Sequence, residues 1–187
     1  MPDVTLVLGG GRSGKSTFAE KLALKKGDDD KNRYYIATAE AFDSEMKNRI
    51  QKHKERRGDT FITVEESIDI YKAIDEIQDD ASVVLLECLS VWFGNILYYH
   101  YKEKESDEER ENREHFIDFQ IKSLLEVLKK VRCPVVIVSN ETNLEIFPTN
   151  DEESSIFIKK AEELNRKIAL LSDSVYFCVA GNPLRLK

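Results

Sequence analysis

The chain has 187 residues, of which 41% are hydrophobic and 34% are charged, with only 8 glycines and 4 prolines. This composition excludes a fibrous or intrinsically disordered protein and predicts one globular domain over residues 1–187. The net charge of −7 disfavours non-specific attraction to nucleic acid or to an anionic membrane, so any anion must be bound by a local feature.

The predicted elements of the N-terminal part alternate between strands and helices. Hydrophobic periodicity predicts, in chain order, a strand at Val4–Leu8, a glycine-rich loop, a helix over Thr17–Lys26, a strand at Tyr34–Ile36, a helix from Asp43 or Ser44 to about Arg56, and an extended segment at Thr60–Val64.

The C-terminal part continues the alternation. Its hydrophobic pattern predicts a helix over Ser67–Ile77, a strand at Val83–Leu86, helices over Trp92–Tyr101 and Phe116–Val131, a strand at Val135–Ser139, a helix over Glu152–Leu171, a strand at Val175–Val179, and a short final strand within Pro183–Lys187. The densely charged run Lys102–Glu114 indicates a solvated connection or an exposed helix turn, and we assign it no chemistry.

These elements predict the fold class. Strands that are apolar throughout are typical of a parallel sheet covered on both faces, and regular alternation with helices favours right-handed crossovers. We therefore expect an α/β sandwich of three layers with a mostly parallel central sheet.

The cellular setting is predicted from what the sequence contains. Apolar runs such as Val83–Leu86 have four residues, whereas a membrane-spanning helix needs about 20. The first residues lead directly into a strand, without the basic and apolar segments of a signal peptide, so we expect a cytoplasmic protein without a transmembrane segment. The three cysteines are far apart and lie beside apolar runs, which favours buried free thiols: Cys88, Cys133 and Cys178.

An eight-residue motif after the first strand has the pattern of a phosphate-binding loop. Its glycines allow backbone N–H groups to surround phosphate oxygens, and the helix that follows adds the positive end of its dipole. Lys15 would neutralise terminal phosphates, and the hydroxyl of Ser16 could hold Mg²⁺. The motif predicts a site for a nucleoside triphosphate, GTP or ATP; the alternative is a glycine turn that binds nothing. Its residues are Gly9, Gly10, Gly11, Arg12, Ser13, Gly14, Lys15 and Ser16.

Glu87 directly follows the apolar strand Val83–Leu86. A carboxylate at this place lies beside the Mg²⁺ of a bound triphosphate in phosphate-loop proteins. Glu87 is therefore a candidate metal ligand together with Ser16, and the alternative is an ordinary acidic residue at the end of a strand.

A basic segment between Arg49 and Arg57 stands out in this acidic chain. At helical spacing Arg49, His53 and Arg57 lie on one face. If that face turned towards the phosphate loop, the arginines would hold phosphates while neutral His53 attacked phosphorus to form a phosphoramidate. The alternative is a basic helix that faces solvent. Ser139, Asn140 and Glu141 end another buried strand, where they form either part of a site or a simple turn.

In combination, these motifs resemble a known family. Gly-Gly-x-Arg-Ser-Gly-Lys-Ser, Tyr-Ile-Ala-Thr, Arg-Ile-x-x-His-x-x-x-Arg, Thr-x-Glu, Leu-Leu-Glu-Cys-Leu and Val-Ser-Asn-Glu occur in the order found in the bifunctional adenosylcobinamide kinase/adenosylcobinamide-phosphate guanylyltransferase family. The resemblance extends from Leu6 to about Pro148 and continues more faintly to the C-terminus. It departs from the family at Thr142–Pro148, where both glycines of the family's loop are missing.

The resemblance implies a P-loop NTPase sandwich of the RecA-like type and two reactions of cobalamin assembly. A nucleoside triphosphate phosphorylates adenosylcobinamide, and GTP then guanylylates the product through a GMP-histidine at the position of His53. It also implies a homo-oligomer, specifically a trimer. Further nucleotide contacts are implied at Ala37, Thr38, Ala39, Lys54, Glu55, Arg56, Arg57 and Glu65.

Two other functions are compatible with the motifs alone. One is a simple small-molecule kinase in which His53 takes no part. The other is a nucleotide-dependent switch that hydrolyses slowly and meets a partner through Thr142–Pro148.

Overall fold

The structure, a computed structural model, describes residues 3–28, 30–40, 58–99, 104–141 and 152–187, in the last range with side chains from residue 157. None of the helices in these ranges is both long and apolar enough to cross a membrane. The elements are β1 Val4–Gly9, α1 Lys15–Lys26, β2 Asn32–Ala37, a 3-10 turn Gly58–Thr60, β3 Ile62–Glu65, α2 Ile70–Ile77, β4 Ala81–Glu87, α3 Leu89–Tyr98, α4 Asp107–Leu128, β5 Val135–Asn140, α5 Glu152–Leu171, β6 Ser174–Val179 and β7 Asn182–Arg185.

All of these strands form one sheet in the order β3-β2-β4-β5-β1-β6-β7. Only the pairing of β7 with β6 is antiparallel, so the prediction of a mostly parallel sheet is confirmed. Parallel strands end at a common edge, and there Ala37 of β2 is in register with both Glu65 of β3 and Glu87 of β4. This carboxyl edge is where open α/β sheets bind their ligands.

The sheet is covered on both faces, which gives the predicted three layers. Alternate residues of β4 point to opposite sides: Val83 and Leu85 pack with Ala19 of α1, whereas Val84 and Leu86 pack with helices α2 to α5. All four of these β4 side chains are fully buried. Burial on both sides explains why the strand is apolar at consecutive positions instead of every second one.

Helix α4 begins at Asp107, nine residues before the predicted start at Phe116. The hydroxyl of Ser106 accepts a hydrogen bond from the N–H of Glu109, whose carboxylate accepts one from the N–H of Ser106. This capping box satisfies the first N–H groups of the helix. Most of the charged run Lys102–Glu114 is therefore exposed helix, so of the two predicted alternatives the exposed helix is confirmed and the solvated connection is wrong.

Three other helix starts differ from the prediction, and the first is α1, which begins at Lys15 instead of Thr17. Helix α2 begins at Ile70 instead of Ser67, because the carboxylate of Glu66 accepts hydrogen bonds from the N–H groups of Ile68 and Asp69 and turns the chain there. Helix α3 begins at Leu89, which is fully buried, and its described part ends at Tyr98. The predicted helix from Asp43 or Ser44 to Arg56 lies outside the described residues.

The three cysteines are free thiols, as predicted. Cys133 and Cys178 are buried, while Cys88 is only partly buried at the carboxyl edge of the sheet. Burial raises the pKa of all three thiols, that of Cys133 to about 11.

Candidate nucleotide-binding site

The phosphate loop lies between β1 and α1, as its sequence context predicts. Gly14 caps the helix with a φ of 90°, a left-handed conformation that glycine adopts without strain. The ammonium group of Lys15 donates to the carbonyl oxygen of Gly10 at 3.0 Å, so its charge is held inside the loop. The hydroxyl of Ser13 is buried without a hydrogen-bond partner in the described part of the chain. The loop thus holds a cation and an unsatisfied polar atom where phosphate oxygens would bind.

Glu87 lies next to this loop. The hydroxyl of Ser16 donates to one oxygen of the Glu87 carboxylate, and the phenol of Tyr35 donates to the other at 3.1 Å. Tyr35 is 4% exposed, and its ring packs edge-on against Phe61. The carboxylate is therefore oriented from two elements, α1 and β2.

The contact between Ser16 and Glu87 tests whether this site suits a divalent cation. A hydroxyl oxygen and a carboxylate oxygen are the ligand types that Mg²⁺ accepts, and the two meet beside the phosphate loop. Within the described ranges no group of three or more His, Cys, Asp or Glu side chains could hold a metal. Since Mg²⁺ in nucleotide sites keeps waters and substrate phosphates as ligands, this small protein contribution fits.

Thr38 ties the ends of β2 and β4 together. It is fully buried, and its hydroxyl accepts from the N–H of Cys88 and donates to the Cys88 carbonyl, both at 2.9 Å. The side-chain amide of Asn95 donates to the carbonyl oxygens of Thr38 and Ser67 at 2.7 and 3.1 Å. These bonds set the position of Glu87, the neighbour of Cys88, relative to the loop. The Glu87–Cys88 peptide bond is cis.

The end of β5 is held by a buried polar network. Ser139 donates to the side-chain oxygen of Asn165 at 2.7 Å, and the Asn165 amide donates to the Asn140 carbonyl at 3.0 Å. The N–H of Glu141 donates to the carbonyl of Gly9 at 3.2 Å, which connects this strand end to the start of the phosphate loop. Asn140 and Glu141 thus lie at the same edge as the loop.

The structure brings most predicted residues to one edge of the sheet: Gly9 to Ser16, Ala37, Thr38, Ala39, Glu65 and Glu87. His53, Lys54, Glu55, Arg56 and Arg57 lie outside the described residues, as does the loop Thr142–Pro148.

Sequence reasoning missed several residues that orient this site. The signal for Tyr35 was available, because side chains two residues apart on a strand share a face and Ala37 was already placed at the strand end. For Asn95 and Asn165 no local pattern points to the site, because both lie on helices and reach it through tertiary contacts.

The fold and the loop define this protein as a P-loop nucleotide-binding protein with a RecA-like sandwich. In agreement, its structure is similar to that of a KaiC-like protein from Pyrococcus horikoshii, with a TM-score of 0.51 over 94% of this chain and 70% of the other, at 12% sequence identity. That likeness concerns the fold alone.

Sequence comparison defines the family. The model of the family described as cobinamide kinase / cobinamide phosphate guanyltransferase matches residues 5–186, and the chain belongs to this family. The bifunctional adenosylcobalamin biosynthesis protein CobP of Pseudomonas aeruginosa is 36% identical over 182 residues, which cover 97% of this chain and 96% of the relative. The corresponding protein CobU of Escherichia coli is 32% identical over 183 residues, which cover 97% and 98%.

Proposed function

We propose that this chain acts as a single P-loop transferase domain that phosphorylates adenosylcobinamide and then guanylylates the phosphate. Membership of the cobinamide kinase / cobinamide phosphate guanyltransferase family supports both activities. The relatives are named as bifunctional adenosylcobalamin biosynthesis proteins. A plain kinase or a nucleotide switch is therefore not favoured.

The observation that carries the kinase activity is the contact of Ser16 with Glu87 beside the phosphate loop. In this step the acceptor hydroxyl attacks the γ-phosphorus of ATP or GTP and gives up its proton to solvent, the bond to the bridging oxygen breaks, and the nucleoside diphosphate leaves. Backbone N–H groups of the loop and the ammonium of Lys15 hold the phosphate oxygens. Ser16 and Glu87 would hold Mg²⁺, which offsets negative charge on the phosphates when bound.

For the guanylyl step we assign His53 as the nucleophile. A ring nitrogen of the imidazole attacks the α-phosphorus of GTP and pyrophosphate leaves, which gives GMP bound to histidine through an N–P bond. A phosphate oxygen of the acceptor then attacks the same phosphorus and releases the histidine. Splitting one displacement into two is the advantage of covalent catalysis. The family resemblance supports Ala37, Thr38, Ala39, Lys54, Glu55, Arg56, Arg57 and Glu65 as further nucleotide contacts.

Radioactive labelling tests this proposal. The protein is incubated with Mg²⁺ and GTP labelled at the α-phosphate, and we expect acid-labile label on the peptide that contains His53. His53→Ala should abolish this label and leave phosphorylation of adenosylcobinamide largely intact, because that step uses the phosphate loop.

His115 provides the matched control, since it lies on the exposed face of α4 near Glu111, and His115→Ala should label like the wild type. If label were transferred only from the γ-phosphate of the nucleotide and never from the α-phosphate, the result would contradict guanylyl transfer and indicate a simple kinase. Nucleotide binding with neither label nor turnover would contradict both activities.

Two further proposals rest on the family resemblance and on the sequence. We expect a homo-oligomer, specifically a trimer, which light scattering on the purified protein tests. We also expect a cytoplasmic location, which cell fractionation tests.

A further inference from the structure

The turn of the C-terminal hairpin lies against the phosphate loop. Strand β6 pairs in parallel with β1, with Cys178 opposite Gly9, so both strands end side by side. The chain then reverses at Ala180 and Gly181, both with positive φ, of 48° and 81°, and returns as β7. The tip of this hairpin is thereby brought to the carboxyl edge of the sheet, beside the loop.

Two independent observations show direct contact. The backbone N–H of Gly181 donates to the carbonyl oxygen of Ser13 at 2.9 Å. In addition, a Cβ atom placed on Gly14 would lie 2.9 Å from the Cα of Gly181, closer than Cβ atoms approach backbone. The absence of a side chain at Gly14 therefore lets the hairpin reach the loop.

The hydrogen bond determines how one peptide unit of the loop is oriented. In a trans peptide the carbonyl oxygen and the following N–H point in opposite directions. Because the Ser13 carbonyl points to the hairpin, the N–H of Gly14 points away from the hairpin and towards the other side of the loop. A backbone N–H held in one direction before the ligand arrives is the device by which phosphate loops bind anions.

The returning strand of the hairpin is attached at its other end both to β6 and to the end of α5. The N–H of Leu186 donates to the carbonyl of Val175 at 2.8 Å, and the ammonium of Lys187 donates to the carbonyl of Ser172 just after α5. The sheet and the end of α5 therefore fix the position of the turn. For this reason the turn can orient the phosphate loop instead of moving with it.

We propose that Gly181 is a positioning residue for nucleotide binding: its backbone N–H orients the Ser13–Gly14 peptide so that the Gly14 N–H is directed to a phosphate of the triphosphate. This inference rests on the proposed function, since it takes the loop to be a nucleoside triphosphate site. The inference adds the hairpin turn at Gly181 to the nucleotide site. This turn lies about 165 residues further along the chain than the phosphate loop and belongs to no phosphate-loop motif.

Backbone chemistry can test this with a single-atom change. Cys178 allows the full chain to be assembled by ligating residues 1–177, as a thioester, to a synthetic peptide of residues 178–187. Glycolic acid in place of Gly181 replaces the N–H by an ester oxygen and removes the bond to Ser13. We expect the affinity for Mg²⁺-GTP, measured by titration calorimetry, to fall about five- to tenfold, the loss expected for one hydrogen bond.

The matched control is an ester at Leu186, made with the hydroxy acid of leucine, which removes the bond to Val175 in the same hairpin. It should lower the stability to urea and leave GTP affinity at the level of the unmodified ligated protein. Equal GTP affinity of the Gly181 ester and the Leu186 ester would overturn the inference. Failure of the unmodified protein to bind GTP would overturn the proposed function, and the inference with it.

Conventional substitutions provide a second test if an ester chain does not fold. A Cβ atom on Gly181 meets nothing within 4 Å, so only its φ of 81° opposes a side chain. Asparagine tolerates positive φ better than alanine does. GTP affinity should therefore decrease from wild type to Gly181→Asn to Gly181→Ala; three equal affinities would overturn the inference.

Discussion

The orientation of Glu87 depends on Tyr35, a residue of the Tyr-Ile-Ala-Thr motif to which the sequence alone assigned no role. Tyr35 lies on the neighbouring strand in register with Leu85, two residues before Glu87, so both side chains point to the same face of the sheet. Its phenol bonds one carboxylate oxygen while Ser16 bonds the other. Loss of the phenol hydroxyl would leave the carboxylate held by the Ser16 hydroxyl alone, and so less firmly oriented.

We therefore predict a specific effect of Tyr35→Phe. This change removes one hydroxyl and keeps the packing of the ring on Phe61. The Mg²⁺ concentration that gives half-maximal kinase activity should rise about threefold to tenfold, as expected for the loss of one hydrogen bond worth ~1 kcal/mol. The measurement is nucleotide consumption at fixed ATP and varied Mg²⁺, with Mn²⁺ binding by electron paramagnetic resonance as a readout independent of turnover.

Tyr176→Phe is the control for this prediction, because Tyr176 packs on Phe18 of the phosphate-loop helix with a centroid distance of 5.0 Å. Its Mg²⁺ dependence should equal that of the wild type. If Tyr35→Phe behaved in the same way, the phenol would have no part in orienting Glu87.

Among the elements, α4 shows how a local signal can be hidden by composition. Ser106 and Glu109 have the spacing of a capping box, which is readable from sequence alone. The dense charge around them was interpreted instead as either a solvated connection or an exposed helix turn, which left the start of the helix undefined. The helix forms since its later turns are anchored in the core by Ile117, Leu124 and Leu128.

The capping box yields the second prediction. Ser106→Ala should lower the free energy of unfolding by about 1 kcal/mol, the usual cost of losing an N-cap side chain. Urea denaturation followed by circular dichroism measures this change. Ser123→Ala, in the interior of the same helix, should leave stability unchanged or raise it slightly, because alanine has the higher helix propensity. Equal effects of the two substitutions would show that the capping box contributes nothing.

At the level of the whole molecule, the site joins the two halves of the sheet. The phosphate loop follows β1, Glu87 is the last residue of β4, and the end of β5 lies between them. A ligand that contacts these strand ends stabilises the folded state as a unit, because it does not bind the unfolded chain.

The third prediction follows from this linkage. Mg²⁺-GTP at 100 times its dissociation constant should raise the free energy of unfolding by about 2.7 kcal/mol, which corresponds to an increase in Tm of roughly 5–10 °C for a chain of this size. Differential scanning calorimetry measures the increase. Lys15→Met removes the buried cation of the loop and should abolish most of it.

Guanosine at the same concentration separates phosphate recognition from binding of the base. It should give little stabilisation, since it lacks the groups that the loop binds. Equal stabilisation by guanosine and GTP would be incompatible with a phosphate site at residues 9–16.

Much of the fold and part of the site could be predicted from the sequence because they depend on local order. The phosphate loop is contiguous, and its role depends on a strand before it and a helix after it, both of which are visible in the hydrophobic pattern. Glu87 could be proposed because it ends a continuous apolar strand. Helix α5 was predicted with its observed limits. The predicted start of α2 at Ser67 was wrong, because the Glu66 carboxylate accepts hydrogen bonds from N–H groups of the expected first turn.

By itself, therefore, the sequence determined the family, the alternation of strands and helices, and the residues that lie in the phosphate loop. Only the tertiary structure decided which side chains meet there: Tyr35 with Glu87, Thr38 with Cys88, and Gly181 with Ser13. The reason is physical. Local patterns reflect backbone preference and burial within one element, whereas these contacts depend on strand order and register, which are set by how all elements pack together.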